Sequence, residues 1–393
     1  MMPTRWLSEV RARFGFACDT PRRLAVTSAL MDFDLSDDQL ALRDAANELL
    51  DGFAKPTQVR MFSQGSGMYD VALWDAMVQQ GWLGVTFDES LGGLGLSLVE
   101  LAVLLEALGA HVAPVPFSST ALAGRALLRA DRADLVPPLL DGTWIASVAW
   151  SKRAGAIRAV PDGDTWRLTG RADPSLYAPT ADLVIVPACD HEGQQSLFLV
   201  HVASTLRPPR EPAMDLTRPL GWWDFADTIA HRLGGTDAVT ALTDDGAVFA
   251  SCEMLGCAQA VLDMSVQYAK DRVQFGRPIG SFQAVKHRCA DMLVDVEGMR
   301  STAYWAAWSL GAESQDASIA ASTAKCWASD ASKRVIASGL QVHGGIGFTW
   351  EHDLHFYLKR AQLDQLQFGD AAFHRNRLAQ LLRPRVAAGE SVV

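Results

Sequence analysis

An arginine at the end of a helix is the first side chain in this sequence that is placed for chemistry. Arg272 lies in the stretch Tyr268-Ala-Lys-Asp-Arg-Val-Gln-Phe-Gly-Arg-Pro278. Gly276 and Pro278 predict that one helix ends there, and a new helix is expected from about Ser281. A guanidinium held at such an end can grip a phosphate with two parallel hydrogen bonds, although a lone surface arginine is often only solvated. The motif therefore indicates either an anion site or an ordinary helix end.

A glycine cluster ends a later helix, in the stretch Gln341-Val-His-Gly-Gly-Ile-Gly347. Because glycine lacks a Cβ, Gly344 and Gly345 let the backbone approach an anion closely and point successive N–H groups at it. Pyrophosphate is a ligand of that kind, but glycine after a helix is also a common C-cap. Taken alone, the cluster leaves both interpretations open.

Helices are expected to dominate the first part of the chain. Met31 looks like a natural start of the folded region, because Ser36 and Gln39 soon follow with the spacing of a capping box. Apolar residues then recur at helical intervals, at Leu42, Ala46, Leu49 and Phe53. The helical pattern continues to about residue 145, with turn residues at 64–67 and 91–95.

The middle of the chain changes to short β-rich runs between about 146 and 240. The runs at 182–187 and 196–202 are joined by a turn at 190–193, which predicts a small antiparallel β-domain. After residue 240 long helical periodicity returns, with an alanine-rich helix from about 316 to 340. Several long helices joined by short loops predict a bundle.

The start of the chain differs in composition from the rest. Residues 1–30 hold five arginines and lack the apolar core of a secretory signal. We expect an over-extended reading frame there, with a mitochondrial transit peptide as the alternative. The predicted domains are a leader at 1–30, an N-terminal helical domain at 31–145, a β-domain at 146–240, a C-terminal four-helix bundle at 241–385 and a tail at 386–393.

The composition excludes several classes of protein. Hydrophobic residues at 49% and charged residues at 20% are typical of a folded globular chain. The net charge of -10 makes nucleic acid an unfavourable partner, and the apolar stretch at 96–117 holds too many polar side chains for a membrane span. Six cysteines without a Cys-x-x-Cys pair indicate a reducing compartment. We expect the bacterial cytoplasm, with the mitochondrial matrix as the alternative.

Together, in this order and at this separation, the two motifs resemble those of the acyl-CoA dehydrogenase family. The resemblance covers Met31 to about Arg383 and includes Leu91-Gly-Gly-Leu-Gly-Leu-Ser97. It implies an α+β, mainly α fold with an N-terminal helical domain, a small antiparallel β-domain and a C-terminal four-helix bundle. It also implies a tetramer with FAD at a subunit interface.

The resemblance further implies α,β-desaturation of an acyl-CoA thioester. In that reaction a carboxylate removes the α-proton while the β-hydrogen leaves as hydride to the flavin. An electron-transfer flavoprotein or a similar acceptor then takes the electrons.

The position of the base is where this sequence departs from the family. Phe368 stands where medium- and short-chain members carry a glutamate, and a phenyl ring cannot accept a proton. Isovaleryl- and long-chain-type members place the base on the first bundle helix, which corresponds here to Gly246 with Asp245 beside it. Asp245, Glu253 and Asp370 are therefore weak candidates for an unusual base. Asp245 is more simply explained as an N-terminal helix charge, and Glu253 as a structural partner of an arginine.

The flavin contacts divide into two groups. Trp150-Ser-Lys-Arg-Ala-Gly155 and Pro174-Ser-Leu176 replace the stretches with which a family member cradles its own flavin. The residues that match contacts to the flavin of the neighbouring subunit are retained, and they are Arg272, Gln274, Phe275, Gln283, Gln341, Gly344 and Gly345. This division implies a chain that completes the flavin site of a partner.

In this respect the chain resembles the base-lacking subunit of actinobacterial heterotetrameric acyl-CoA dehydrogenases, which act on steroid side-chain CoA esters. The ending from Phe368 to Arg375 fits that group as well. Two alternatives stay open: a self-sufficient homotetrameric dehydrogenase with an unusual base, and a flavin monooxygenase on the same fold.

Two further sets of residues have less specific patterns. His352 and His355 have the i, i+3 spacing of a metal pair but no evident third ligand, so we predict an exposed, charged helix start and no metal site. Three tryptophans fall at helical spacings and are predicted in the core or at an interface, namely Trp305, Trp308 and Trp327.

Overall fold

The computed structural model describes residues 34–153 and 155–390, so the predicted leader at 1–30 lies outside the described residues. Its first helix, α1 (Asp37–Phe53), begins with the predicted capping box. The Ser36 hydroxyl accepts the Gln39 N–H at 3.3 Å, and the Gln39 side-chain oxygen accepts the Ser36 N–H at 3.0 Å. Two backbone donors that a helix start leaves free are thereby satisfied.

The rest of the N-terminal region is helical, as predicted. Its α-helices are α2 (Pro56–Gln64), α3 (Val71–Gln79), α4 (Leu98–Ala110), α5 (Phe117–Arg129) and α6 (Pro137–Leu140). Helix α4 is buried along most of its length, because it lies between α1 and the C-terminal helices. Gly93 allows the turn before α4, since a Cβ there would lie 2.0 Å from the Phe87 carbonyl oxygen.

The middle region forms a six-stranded sheet. Its strands are β1 (Ala146–Val148), β2 (Ile157–Asp162), β3 (Thr165–Arg171), β5 (Leu183–Cys189), β6 (Gln195–His201) and β8 (Asp224–Gly234), in the order β1-β5-β2-β3-β8-β6. Strand β5 also pairs with β6, so the sheet closes on itself. Two short strands, β4 (Ser175–Leu176) and β7 (Leu220–Gly221), pair separately.

The pairing of β5 with β6 is antiparallel, as their sequences predict, with Leu183 opposite His201. The short strand β1 differs, because it pairs parallel to β5. All three β1 residues are buried, so they lack the alternation that marks a strand in the sequence.

Long helices form the C-terminal region. They are α7 (Thr236–Asp271), α8 (Gln283–Gly311), α9 (Ala317–His343), α10 (Leu354–Leu366) and α11 (Ala371–Ala387). Between α7 and α8 the chain forms a small hairpin of β9 (Val273–Gln274) and β10 (Arg277–Pro278). Trp305 packs against the core, whereas Trp308 and Trp327 stay partly exposed on α8 and α9.

Helix α7 is the central element of the described fold. In the part of the chain that the structure describes, it is the one helix long and apolar enough to span a membrane. However, 78% of its most apolar 18-residue stretch is buried inside the protein. It is therefore a core helix. It crosses α4 at Gly109 and Gly256, where a Cβ on either residue would lie about 2 Å from a carbonyl oxygen of the facing helix. This close approach positions the α7 residues that face the candidate site.

Candidate active site

A small cavity lies between α5, α7 and the loop that joins α10 to α11. Its volume is about 30 Å³, enough for two water molecules at most. One end is lined mainly by apolar side chains, among them Leu122, Val148 and Phe249. The other end is polar and holds Arg218 and Glu253. An acyl chain therefore has no open space here.

Phe368 closes the apolar end of the cavity. Its ring packs directly against Gly246, because a Cβ built on that glycine would lie 2.3 Å from the ring. The Phe368 backbone is left-handed, with φ of 54°, and its side chain is buried. Trp150 packs beside it with ring centroids 5.8 Å apart, and Phe373 lies on Trp150 at 5.6 Å. The sequence positions 368 and 246 thus meet in space, and both lack a carboxylate.

Asp245, one residue before Gly246, lies outside this cavity lining. Its side chain is 1% exposed and accepts paired hydrogen bonds from Arg125 and from Arg129, at distances between 2.5 and 3.3 Å. Burial alone would raise the pKa of Asp245, but the two guanidiniums hold it below its usual range. A carboxylate held in that way is a poor proton acceptor.

Glu253 lies at the polar end of the cavity, seven residues or about 10 Å along α7 from Gly246. It forms an ion pair with Arg218 and accepts a hydrogen bond from Ser118. Arg218 also donates to Asp364 at 2.8 Å. Burial raises the pKa of Asp364 to about 7, against the attraction of Arg218. The arginine partner that the sequence suggested for Glu253 is therefore Arg218.

Asp370 caps a helix. Its carboxylate accepts the Phe373 N–H at 2.8 Å at the start of α11 and the Lys152 ammonium at 2.9 Å. The hydrogen bond from Lys152 is the main cause of a lowered pKa of Asp370. This carboxylate serves the helix start and is not among the residues that line the cavity.

The predicted phosphate-binding residues lie together at one end of the bundle. Arg272 follows the last residue of α7, and the glycine cluster follows the last residue of α9. Tyr268 of α7 stacks on His343 of α9 with ring centroids 4.7 Å apart, which joins the two helix ends. Gly344 has φ of 63°, and open space lies in front of both Gly344 and Gly345.

The other residues of this set are exposed on the same end of the bundle. Gln274 and Phe275 form the tip of the β9–β10 hairpin, and the Phe275 side chain is 92% exposed. Gln283 and Gln341 are exposed at the start of α8 and near the end of α9. Phe275 also has a left-handed backbone, with φ of 55°. A phenyl ring this exposed is typical of a surface that a partner covers.

The environment of His352 and His355 differs from the prediction. His355 is buried between Trp350 and Phe356, with ring centroids 4.8 and 4.1 Å away, so the expected exposed helix start is wrong for this residue. Arg60 of α2 donates to the Trp350 carbonyl and so covers the segment, a contact between residues distant in sequence. Within residues 34–153 and 155–390 there is no group of three or more side chains that could hold a metal ion.

Comparison with known protein families agrees with this geometry. The N-terminal domain of acyl-CoA dehydrogenases matches residues 36–140, and the C-terminal domain of acyl-CoA dehydrogenases matches residues 234–382. The chain belongs to the acyl-CoA dehydrogenase family. This is a family of FAD-dependent oxidoreductases, and the resemblance inferred from the two motifs is confirmed.

Individual acyl-CoA dehydrogenases support the same assignment. The chain is 34% identical over 328 residues to acyl-CoA dehydrogenase IpdE2 of Mycolicibacterium smegmatis, covering 83% of this chain and 93% of that protein. The ChsE4-ChsE5 complex from Mycobacterium tuberculosis contains a chain of 32% identity with a TM-score of 0.84, over 90% of this chain and 99% of that one. A variant of the Tcur3481-Tcur3483 steroid ACAD has 31% identity and a TM-score of 0.84, over 89% and 99% of the two chains.

Some residues in and around this cavity were missed by sequence reasoning. Lys325 is fully buried in α9 and lies beneath the loop that carries Phe368. Its signal in the sequence is a lysine on an otherwise alanine- and serine-rich helix face. Arg218 and Asp364 have no such local signal, because their role arises from a contact between segments 146 residues apart.

Proposed function

We propose that this chain completes the FAD site of a hetero-oligomeric acyl-CoA dehydrogenase in the bacterial cytoplasm. In this proposal a homologous partner subunit supplies the base, and the reaction is α,β-desaturation of an acyl-CoA thioester. The observation that carries the proposal is the contact between Phe368 and Gly246, which leaves both expected base positions without a carboxylate.

Removal of an α-proton requires a base within hydrogen-bond reach of that proton. The three weak candidates in this chain are otherwise engaged: Asp245 by two arginines, Glu253 by Arg218 and Ser118, and Asp370 by its helix cap. Phe368 lines the small cavity, and Trp150 packs on its ring from outside the cavity lining. These contacts support a chain without a complete site of its own.

The other end of the bundle supports a role toward a partner's FAD. Arg272, Gln341 and the N–H groups of Gly344 and Gly345 would hold the pyrophosphate, and Phe275, Gln274 and Gln283 would contact the rest of the cofactor. The exposed Phe275 ring and the open space before the glycines fit such a ligand. FAD held by these residues would supply the hydride acceptor that the desaturation needs. An electron-transfer flavoprotein or a similar carrier would then reoxidise it.

The relatives support the proposed assembly and substrate class. Two of the similar structures carry names of two chains, ChsE4-ChsE5 and Tcur3481-Tcur3483, and the second is titled a steroid enzyme. We therefore propose a heterotetramer that acts on a CoA ester derived from a steroid or a comparable lipid.

The experiment is to purify the full chain alone and with homologous acyl-CoA dehydrogenase chains that carry the base glutamate. We expect a colourless protein alone and a yellow complex with both subunits after co-purification, measured by flavin absorbance and subunit stoichiometry. A yellow homomer that oxidises an acyl-CoA would contradict the proposal and favour the homotetrameric alternative. Oxygen consumption by reduced flavin without a CoA ester would favour the monooxygenase.

A substitution of Arg272 tests the phosphate contact within the complex. We expect Arg272→Gln to lower the FAD content of the complex at least about ten-fold, because charge-assisted bonds to phosphate are among the strongest hydrogen bonds. Arg277→Gln is the matched control, since Arg277 lies on the same hairpin with its guanidinium over the Phe282 ring at 4.2 Å. Equal FAD loss in both variants would show that the hairpin, and not Arg272, supports the cofactor.

A further inference from the structure

The loop at 366–370 joins α10 to α11 and carries Phe368 into the cavity. Phe368 has φ of 54°, a conformation that a phenylalanine rarely adopts, and Gly369 follows with φ of 97°. A Cβ on Gly369 would lie 2.3 Å from the Phe373 ring, so the loop passes close to α11. Such a backbone persists only where surrounding groups hold it.

Lys325 contacts the chain on both sides of Phe368, in the last turn of α10 and in the loop. It is fully buried in α9, and its Nζ donates to the carbonyl of Gln365 and to the carbonyl of Gly369, each at 2.9 Å. A third acceptor, the Ser329 hydroxyl, lies at 3.4 Å. A buried ammonium with three acceptors has all of its N–H groups directed to partners.

His374 forms a further hydrogen bond to the loop, at a residue between the two that Lys325 contacts. Its Nε2 lies 2.9 Å from the Phe368 carbonyl, and because a carbonyl only accepts, Nε2 carries the proton. Burial lowers the pKa of His374 to about 3, so the ring is neutral at ordinary pH. The two Lys325 bonds to Gln365 and Gly369 and the His374 bond to Phe368 all end on backbone oxygens. They therefore do not depend on which side chain stands at position 368.

We propose that Lys325 is a positioning residue, which holds the 366–370 loop so that any side chain at position 368 is presented to the cavity opposite Gly246. This inference rests on the proposed function, in which that cavity is an acyl site that has lost its base. The loop then keeps the conformation that would present a carboxylate at position 368. Phe368 occupies that position, but its side chain does not set the conformation of the loop.

Several titratable groups lie around Lys325. They are Asp364 of α10, Asp370 of the loop, His374 of α11 and Lys333 of its own helix. Burial lowers the pKa of Lys325 to about 7, and the two aspartates oppose that change. A neutral amine still has two N–H groups, so both bonds to the loop carbonyls can persist above that pH.

The first test is amide hydrogen exchange of the loop in the full chain. We expect exchange at 366–370 to be at least about ten-fold faster in Lys325→Met, because two buried carbonyls lose their donor. In Phe368→Ala it should stay within about three-fold of the parent protein, because the donors to the loop remain. Lys333→Met, an exposed lysine on the same helix, is the control. Equally fast exchange in Phe368→Ala, or no change in Lys325→Met, would overturn the inference.

The second test uses a titrating side chain as a reporter. A glutamate at 368 held in the apolar end of the cavity has a raised pKa, so Phe368→Glu should lose stability relative to Phe368→Gln as pH rises above about 4.3. When Lys325→Met is added to each variant, the loop is no longer held and the carboxylate can reach water. The difference in stability between the Phe368→Glu and Phe368→Gln variants should then become smaller. The measurement is the urea midpoint of all four variants from pH 4 to pH 8.

The opposite result is equally informative. If Lys325 acted only through its charge, its removal would raise the pKa of the glutamate further and widen the difference, which would overturn the inference. Neither test requires flavin, an acyl-CoA or a partner subunit. Failure here therefore leaves the proposed function intact, and failure of the FAD-loading experiment leaves the result on Lys325 intact.

Discussion

At the scale of single residues, the carboxylates of this chain are distinguished by their partners. Asp245 stands one residue from an expected base position, yet both of its oxygens accept hydrogen bonds from arginines of α5. Glu253 is likewise paired, with Arg218. The lowered pKa of Asp245, and the donors bound to both carboxylates, make them poor proton acceptors, so these residues support structure.

We predict that Asp245→Asn lowers the stability of the fold without removing a catalytic group. The change leaves two partly buried guanidiniums without an anion, which we expect to cost about 2–3 kcal/mol at pH 7 after allowance for the exposure of Arg129. Urea unfolding measures the loss. Asp263→Asn, an exposed position on the same helix, is the control and should change stability by less than about 0.5 kcal/mol.

The ion pairs of Asp245 with the two arginines also predict how the stability of the fold depends on pH. Because the folded pKa of Asp245 is below its unfolded value of about 3.9, its contribution is present above that pH and is lost as pH falls through the folded value. The stability difference between the parent protein and Asp245→Asn should therefore be constant from pH 5 to pH 8 and shrink below about pH 4. A difference that grows on acidification would contradict the lowered pKa.

At the scale of elements, the crossing of α4 and α7 positions the candidate site. Gly109 and Gly256 let two buried helix backbones touch, so Glu253 and Gly246 face α5 and the 366–370 loop from a fixed distance. A glycine inside a helix normally weakens that helix, because glycine loses more backbone entropy than alanine. Here the close approach of the two backbones offsets that cost.

We predict that Gly256→Ala destabilises the protein by about 3 kcal/mol or more, because the added Cβ meets the Glu106 carbonyl and the helices must separate. Gly52→Ala in α1 is the matched control, since a Cβ there meets nothing within 4 Å. The control should be neutral or stabilising by up to about 1 kcal/mol, following helix propensity. Thermal or urea unfolding distinguishes the two, and similar effects of both substitutions would refute the crossing as the cause.

At the scale of the whole molecule, the end of the bundle that carries Phe275 is a surface that the described residues leave uncovered. The hairpin with Phe275 and the segment after the glycine cluster both present large apolar side chains there, including Phe348 at 74% exposed. Apolar side chains of this size, next to Arg272, are typical of an interface that also holds a ligand.

We predict that Phe275→Asp prevents association with the partner subunit and retention of FAD while the chain stays folded. An aspartate tolerates the left-handed backbone at this position, and the ring it replaces is 92% exposed, with the Phe282 ring edge-on at 6.1 Å. Sedimentation and flavin absorbance of the co-purified complex measure the effect. Val160→Asp, at an exposed position on β2, is the control and should leave assembly unchanged. A Phe275→Asp variant that assembles with full FAD content would exclude this surface as the interface.

Local patterns in the sequence were sufficient for much of the architecture. The capping box at Ser36, the paired strands β5 and β6 and the alanine-rich helix α9 are where the sequence predicts them, because each depends on residues close together in the chain. The two motifs that identify the family are of the same kind. The parallel strand β1 was missed, since it is short and buried on every side.

The sequence by itself determined which residue types stand at the two expected base positions, and that the two motifs with proposed phosphate contacts are present. Only the tertiary structure decided that Phe368 and Gly246 touch, that Asp245 faces two arginines, and that Lys325 holds the loop from below. The physical reason is that these contacts join segments more than 40 residues apart, so the packing of helices sets them. Periodicity and motif spacing report only on neighbours along the chain.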